Sequence, residues 1–322
     1  RRDGGSDHSI QDSVRGFGPT TKLSSSSTND ENNTTSLGST GYTDPKWGYI
    51  NNTYANGFSV NASTAGDHVN NLNSPYVAWC WKAGGAAVSN PNGDIPSNVS
   101  ANTTSGFSIT TYTGDGTNGT RTVGHGLSQS PEFVIVKNRD QDQDWMVWTS
   151  GLPSTQNLRL NSTNGADSPS NRVNSVNSTT VELQTDTGTK VNSLGDAFVM
   201  YCWHSVEGYS SVGAYSGNNN ANGPFVYTGF SPAFVIIKRY DSGTVDQGWT
   251  MYDNARETLN PRWHIIQAQL SNGELTSAGT PPYIDFLSNG FKARSTNSNI
   301  NLSGDYIYMA FAESPFKYST GR

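Results

Sequence analysis

Apolar and polar residues alternate along this chain with a period of two, in short runs closed by Gly, Asn, Asp and Ser. That pattern predicts strands and turns rather than helices. The clearest runs are Ser108–Tyr112, Phe133–Lys137, Trp145–Thr149, Val181–Gln184, Phe198–Trp203, Phe225–Tyr227, Phe234–Lys238, Trp249–Tyr252 and Tyr306–Phe311. Helix signals are poor; residues 254–259 could hold one turn. Frequent short strands suggest β-sandwiches, with the paired aromatic strands face to face inside each unit.

The runs repeat. An aromatic strand recurs at Tyr76–Trp81, Phe198–Trp203 and Tyr306–Phe311, with matching positions 122 and then 108 residues apart. A second anchor, Phe133-Val-Ile-Val-Lys137, matches Phe234-Val-Ile-Ile-Lys238, and each leads through a polar turn into Trp145 or Trp249. Gly57-Phe58 and Gly290-Phe291 form a third. Asp12-Ser-Val-Arg15 aligns with Asp253-Asn-Ala-Arg256, which puts His8 at the position of Trp145 and Trp249. In this frame a Phe-Val-Ile-x-Lys strand belongs just ahead of Arg1, so the first repeat is expected to be cut and the polypeptide to continue upstream.

The expected architecture is therefore all-β: tandem antiparallel β-sandwich modules of about 100 residues with long Asn/Ser/Thr/Gly-rich loops. Residues 1–85 are read as a truncated first repeat and 86–105 as an extended linker. Residues 106–207 and 208–317 are read as the second and third repeats, and 318–322 as a tail.

Composition narrows the chemistry. Only 14% of the 322 residues are charged and 33% hydrophobic, with 34 Gly, 15 Tyr, 12 Phe and 8 Trp. The aromatic residues supply core area that a disordered chain lacks. A net charge of −6 and a pI near 5.3 argue against nucleic-acid binding. No apolar run is long enough to insert in a membrane. Cys80 and Cys202 sit at equivalent places in two repeats, and both are expected as free, buried thiols.

Catalytic motifs are missing from the sequence. There is no Gly-x-Ser-x-Gly elbow, no phosphate-binding Gly-x-x-x-x-Gly-Lys loop and no His pair at metal-ligand spacing. His125, between two glycines, reads as a turn histidine, and Gly114-Asp-Gly116 as a turn rather than a calcium loop. Asp140, Asp142, Asp144, Asp241 and Asp246 read as hairpin acids; a glycosidase would need two of them as an acid and nucleophile pair. No enzymatic activity, cofactor or metal is expected.

Several stretches carry a family resemblance: YVAWCWKAGG (76–85), TYTGDGT (111–117), GHGL (124–127), PEFVIVKNR (131–139) and YIYMAFAESPF (306–316). They resemble repeats in virion proteins of tailed bacteriophages, especially those of marine and aquatic bacteria. The opening RRDGGSDHSIQDSVRG is similar to the segment that follows a Val-Trp-Ile-Lys strand in those repeats. The resemblance implies a structural part of a virus particle, a tail fibre or spike segment that attaches to host-surface glycans. It also implies a homotrimer that contacts other virion proteins. A capsid decoration or other passive appendage, and a cellular adhesin or surface-filament subunit, are the alternative readings. No catalytic set carries over. Glycan contacts are expected from loop aromatics and polar neighbours outside the clearest strands: Trp47, Tyr49, Asn51, Trp263 and His264.

Overall fold

The computed structural model describes residues 1–31, 48–61, 69–186, 189–241, 247–275 and 281–314. Almost all regular structure is strand. β1 (Ile50–Tyr54) and β2 (Gly57–Val60) form a hairpin. Next come β3 (Val88–Asn90), β4 (Ser97–Asn102), β5 (Phe107–Thr113), β6 (Gly119–Gly124), β7 (Phe133–Asn138) and β8 (Met146–Thr149). β9 (Leu158–Arg159), β10 (Arg172–Val176), β11 (Thr180–Thr185) and β12 (Ala197–Trp203) complete the middle of the chain. The last part holds β13 (Ser210–Gly217), β14 (Phe225–Tyr227), β15 (Pro232–Arg239), β16 (Thr250–Asp253) and β17 (Ile266–Gln267). It ends with β18 (Ile284–Leu287), β19 (Gly290–Ala293) and β20 (Gly304–Ala312).

Two large antiparallel sheets share one strand order. The seven-stranded sheet runs β3-β4-β5-β12-β7-β8-β9, and the five-stranded sheet runs β13-β20-β15-β16-β17. β5-β12-β7-β8-β9 therefore matches β13-β20-β15-β16-β17. Each large sheet carries a three-stranded sheet on its outer face, β10-β11-β6 in the middle of the chain and β14-β19-β18 in the last part. The layers enclose separate apolar cores: Val134, Val136, Met200 and Cys202 face Val123, Val173 and Leu183, while Val235, Ile237 and Ala310 face Val226, Phe286 and Phe291. The aromatic strands of each unit lie in one sheet, β12 and β8 on either side of β7 and β20 and β16 on either side of β15, not face to face as expected.

The inner faces of both large sheets meet in a third, central core. Phe133, Ile135, Tyr201, Trp203, Phe234, Ile236, Met309 and Phe311 lie in it, and Val77, Trp79 and Trp81 from the first third pack against it. β7 is thus buried on both faces, which explains why Phe-Val-Ile-Val reads as an unbroken apolar run.

Equivalent contacts close the three thirds into a ring. The indole N–H of Trp145 donates to the carbonyl of Ser24 at 2.9 Å, that of Trp249 to Arg159 at 2.9 Å, and His8 Nε2 to Gln267 at 3.1 Å. The acceptors are themselves equivalent, because each follows the residue paired with the strand two positions after the ring: Ile10 with Leu23, Val147 with Leu158, Met251 with Ile266. The main chain repeats the pattern. Glu31 N–H donates to Arg139 O, Ala166 N–H to Tyr240 O and Glu274 N–H to Arg2 O, at 2.7–2.9 Å. The middle third thus docks on the first, the last on the middle, and the first on the last.

Two readings need correction here. Residues 86–105, expected as an extended linker, contribute β3 and β4 to the edge of the seven-stranded sheet. Ser97 and Val99 alternate inward with exposed Asn98, and Pro91 and Pro96 lie just outside the two strands, where no ladder donor is needed. Cys80 is exposed, whereas Cys202 is buried, and both thiols are free. The stretch Tyr76–Trp81 is extended but joins no ladder among the described residues.

Candidate functional site

The ring contacts consume much of the ionisable chemistry. In the first third, Arg15 bonds Asp12 Oδ2 at 2.5 Å and Glu31 Oε1 at 2.6 Å, and Tyr201 Oη donates to Asp12 at 2.7 Å. Arg139 completes the cluster on Glu31 at 2.8 Å. In the last third, Arg256 bonds Asp253 at 2.6 Å and Glu274 at 2.8 Å, Trp79 Nε1 donates to Asp253 at 3.2 Å, and Arg2 reaches Glu274 at 2.9 Å. The middle third has Thr149, Leu152 and Ala166 at these positions, met by Met309 and Tyr240. Charge is thus replaced as a set, donor for donor, where the interface is apolar.

The hairpin acids are engaged as well. Asp144 accepts from Lys190 at 2.6 Å, Arg159 at 3.2 Å and Asn161 at 3.0 Å. Burial raises its pKa, but these bonds and cations outweigh that and hold the carboxyl below its usual range. Asp140 accepts from Ala197 N–H at 2.6 Å and Asp142 from Asp30 N–H at 3.0 Å, while Asp241 pairs with Arg239 at 2.6 Å. Asp246 lies outside the described residues. Burial raises the Asp115 pKa, but hydrogen bonds from Asn192, the Thr117 N–H and Arg121 together outweigh it and lower it to about 2. His125 stands in its glycine turn with Nδ1 accepting Leu127 N–H and Nε2 against Asn177 O, both at 3.1 Å, and burial lowers its pKa. Among the described residues no three His, Cys, Asp or Glu converge as a metal site.

An outer face in the last third leaves aromatic rings exposed. Alternation on β14 points Val226 into the core and leaves Phe225 and Tyr227 45% and 67% exposed. Across the ladder, Phe225 opposes Lys292 and Tyr227 opposes Gly290. A Cβ on Gly290 would stand 2.1 Å from the Val226 carbonyl oxygen and 3.0 Å from the Phe225 ring, so glycine lets both the β14 backbone and that ring lie close against β19. Lys292 is directly opposite Asp285, which pairs with Arg294 at 3.3 Å. At the other edge, Arg262 and Ile284 exchange backbone hydrogen bonds, and the Asn260 side chain bonds both Phe286 N–H and O. This brings Trp263 beside Tyr283, ring centroids 6.4 Å apart, and sets it tilted against His264 at 4.7 Å. Glu257 Oε2 fixes the loop by accepting both backbone N–H groups, at 2.6 and 3.0 Å.

The structure thus unites Trp263 and His264 but not the other expected contacts. Tyr49 bonds Asn61 through its hydroxyl at 2.6 Å, and Asn51 is exposed on β1 in the first third. Among the described residues no hydrogen bond or ring contact joins either of them to Trp263 or His264. Trp47 lies outside the described residues. Phe225 and Tyr227 escape sequence reasoning because a Phe-Val-Tyr strand reads as core; the glycine opposite Tyr227 is the signal that could have flagged them.

Fold and surface together define an all-β protein of layered antiparallel sheets with an aromatic outer face. The chain belongs to the family described as a domain of unknown function, DUF7483, whose model matches residues 1–315. No similar curated protein and no similar solved structure was found.

Proposed function

We propose that this protein is a structural component of a bacteriophage particle, a tail-fibre or spike segment that attaches to host-surface glycans. The observation that carries the glycan part is the outer face bearing Phe225 and Tyr227 at one edge and Trp263 with Tyr283 at the other. The exposed Phe225 and Tyr227 rings and the half-buried Trp263 and Tyr283 can stack on the apolar faces of sugars, while Lys292, Asp285 and Arg294 between them can bond hydroxyls. The resemblance of the repeated motifs to phage virion repeats supports the particle assignment. So does the use of buried ion clusters and indoles to lock three β-units together, which suits a rigid element outside the cell. The need for a homotrimer to bury aromatic strands is met inside one chain by the central core; any trimer then forms through outer surfaces, with other virion proteins as neighbours.

The test has two parts. Immunogold with antibody against residues 106–317 on intact particles should label tail appendages; label over the head would make this a capsid decoration, and label on cellular filaments an adhesin. A glycan array with purified protein should then show binding that Phe225→Ala/Tyr227→Ala or Trp263→Ala abolishes. Unchanged binding in both variants would remove the aromatic face from the account.

A further inference from the structure

One large sheet ends in β3 and β9, the other in β13 and β17. β3, β9 and β17 are blunt ends of three, two and two residues. β13 is eight residues long and reads Ser-Ser-Val-Gly-Ala-Tyr-Ser-Gly, with no charge and no proline. Short strands, charges and prolines are what keep a sheet edge from pairing with another chain. β13 carries none of these guards.

The middle third shows what such an edge takes. Tyr112 on β5 and Tyr215 on β13 are equivalent. Each ring stacks on the neighbouring strand, on Phe198 at 5.0 Å and Tyr306 at 5.1 Å. Each hydroxyl donates to a main-chain carbonyl, of Val191 or Ile300, at 2.7 Å. But β5 is not an edge. β4 pairs with it, Asn98 opposite Thr111 and Ser100 opposite Ile109. The turn ahead of β4 continues onto the outer sheet, where Asp94 and Ile95 N–H groups both donate to Thr122 O and Thr122 N–H donates to Asp94 Oδ2. In the last third Ile109 and Thr111 correspond to Val212 and Ala214. Thr122 corresponds to Phe225, because Val123 pairs with Val181 as Val226 does with Phe291. Only residues 204–209 separate β12 from β13, so no hairpin of the β3–β4 kind precedes that edge.

The bare groups can be named. Ser210 N–H donates to Val206 O and Val212 N–H to Ser205 Oγ, both at 2.9 Å. Even-numbered residues of β13 thus turn their main-chain groups away from β20. Ala214 and Ser216 follow the same alternation, and both are exposed. Among the described residues no hydrogen bond reaches the outward main-chain groups of Ala214 and Ser216, nor those of Phe225.

We propose that β13 is a docking edge for a second copy of this chain, pairing antiparallel with the partner's β13 across a two-fold axis that passes beside Tyr215. In that register Ala214 and the partner's Ser216 exchange main-chain bonds, and the two-fold repeats the exchange. Gly213 falls opposite the partner's Gly217, so no bulky side chain crowds the seam and no like charges oppose each other. One patch serves both copies, as a two-fold contact requires. The main-chain edge makes the contact, while the Phe225 and Tyr227 rings face out of the layer, so the pairing does not rest on glycan binding.

Light scattering of the whole chain at micromolar concentration should give twice the 34.6 kDa chain mass. Hydrogen exchange at the Ala214 and Ser216 amides should be about 100-fold slower there than after dilution below the dimer's dissociation constant. Ala214→Pro is tolerated on a free edge but removes a donor from the seam, so it should be monomeric with an unchanged far-UV circular dichroism spectrum. Ala214→Lys, which makes no demand on the backbone, places a charge on the edge and should weaken the dimer by about tenfold or more. A monomeric or trimeric mass for the unaltered chain, equal exchange at the two concentrations, or a dimer undiminished in either folded variant would overturn the proposal.

Discussion

The indole of Trp249 donates to the carbonyl of Arg159, 2.9 Å away and 90 residues earlier in the chain. It is one of three equivalent bonds that tie each third of the protein to the next, and His8 makes the bond that closes the circle on Gln267. Trp249→Phe keeps an aromatic ring in the core but removes the donor and part of the buried ring area, leaving a buried carbonyl unpaired. A loss of about 1–3 kcal/mol is expected in urea unfolding, with Trp145→Phe behaving alike.

The ion clusters should be strongly non-additive. Arg256→Leu alone strands Asp253 and Glu274 in a buried site and should cost about 3–5 kcal/mol. Converting the whole set to the middle third's residues (Asp253→Thr, Arg256→Leu, Glu274→Ala, with Arg2→Tyr) should cost less than the single change. Denaturant midpoints of the two variants decide this; a quadruple variant less stable than Arg256→Leu would show that the apolar set works only in its own place.

The two thiols should differ in the native state. Cys80 is exposed, while Cys202 is fully buried and burial pushes its thiol far above the usual range. Titration with a thiol reagent should count one group in the folded protein and two in denaturant. Two fast-reacting native thiols would contradict the closed middle core.

Stability should rise with pH above neutrality. Lys238 Nζ is buried against Thr163 O and Gln247 O, and burial lowers its pKa from 10.5 to about 7. Between about 7 and 10.5 the unfolded chain therefore holds a proton that the folded chain has released, so raising pH favours folding; below the folded value both states are protonated and the slope from this group disappears. Lys137 and Lys22, each lowered by burial to about 8, add slopes of the same sign. Lys238→Met should flatten the profile by up to about 1.4 kcal/mol per pH unit. A profile unchanged by that substitution would place a charged lysine in the folded core.

Much of this was legible because strand periodicity and repetition are local. The nine strongest strands, the equivalence of His8 with Trp145 and Trp249, and the Asp-x-x-Arg turns all show in the sequence. Strand Val88–Asn90 did not, since a three-residue edge strand of small residues carries no apolar stripe. The side-by-side placement of aromatic strands and the central core depend on contacts across 90 or more residues, which alternation cannot assign to a partner. At the surface the same ambiguity hid Phe225 and Tyr227: alternation says that one face differs from the other, but in Phe-Val-Tyr it was the valine that went inward.

The central claim is that three β-units share one core and unfold as one body. Scanning calorimetry of the intact chain tests it directly. The account predicts a single transition whose calorimetric and van't Hoff enthalpies agree. Two or three separable transitions, each the size of one unit, would mean that the units are strung along the chain and that the ring does not hold them together.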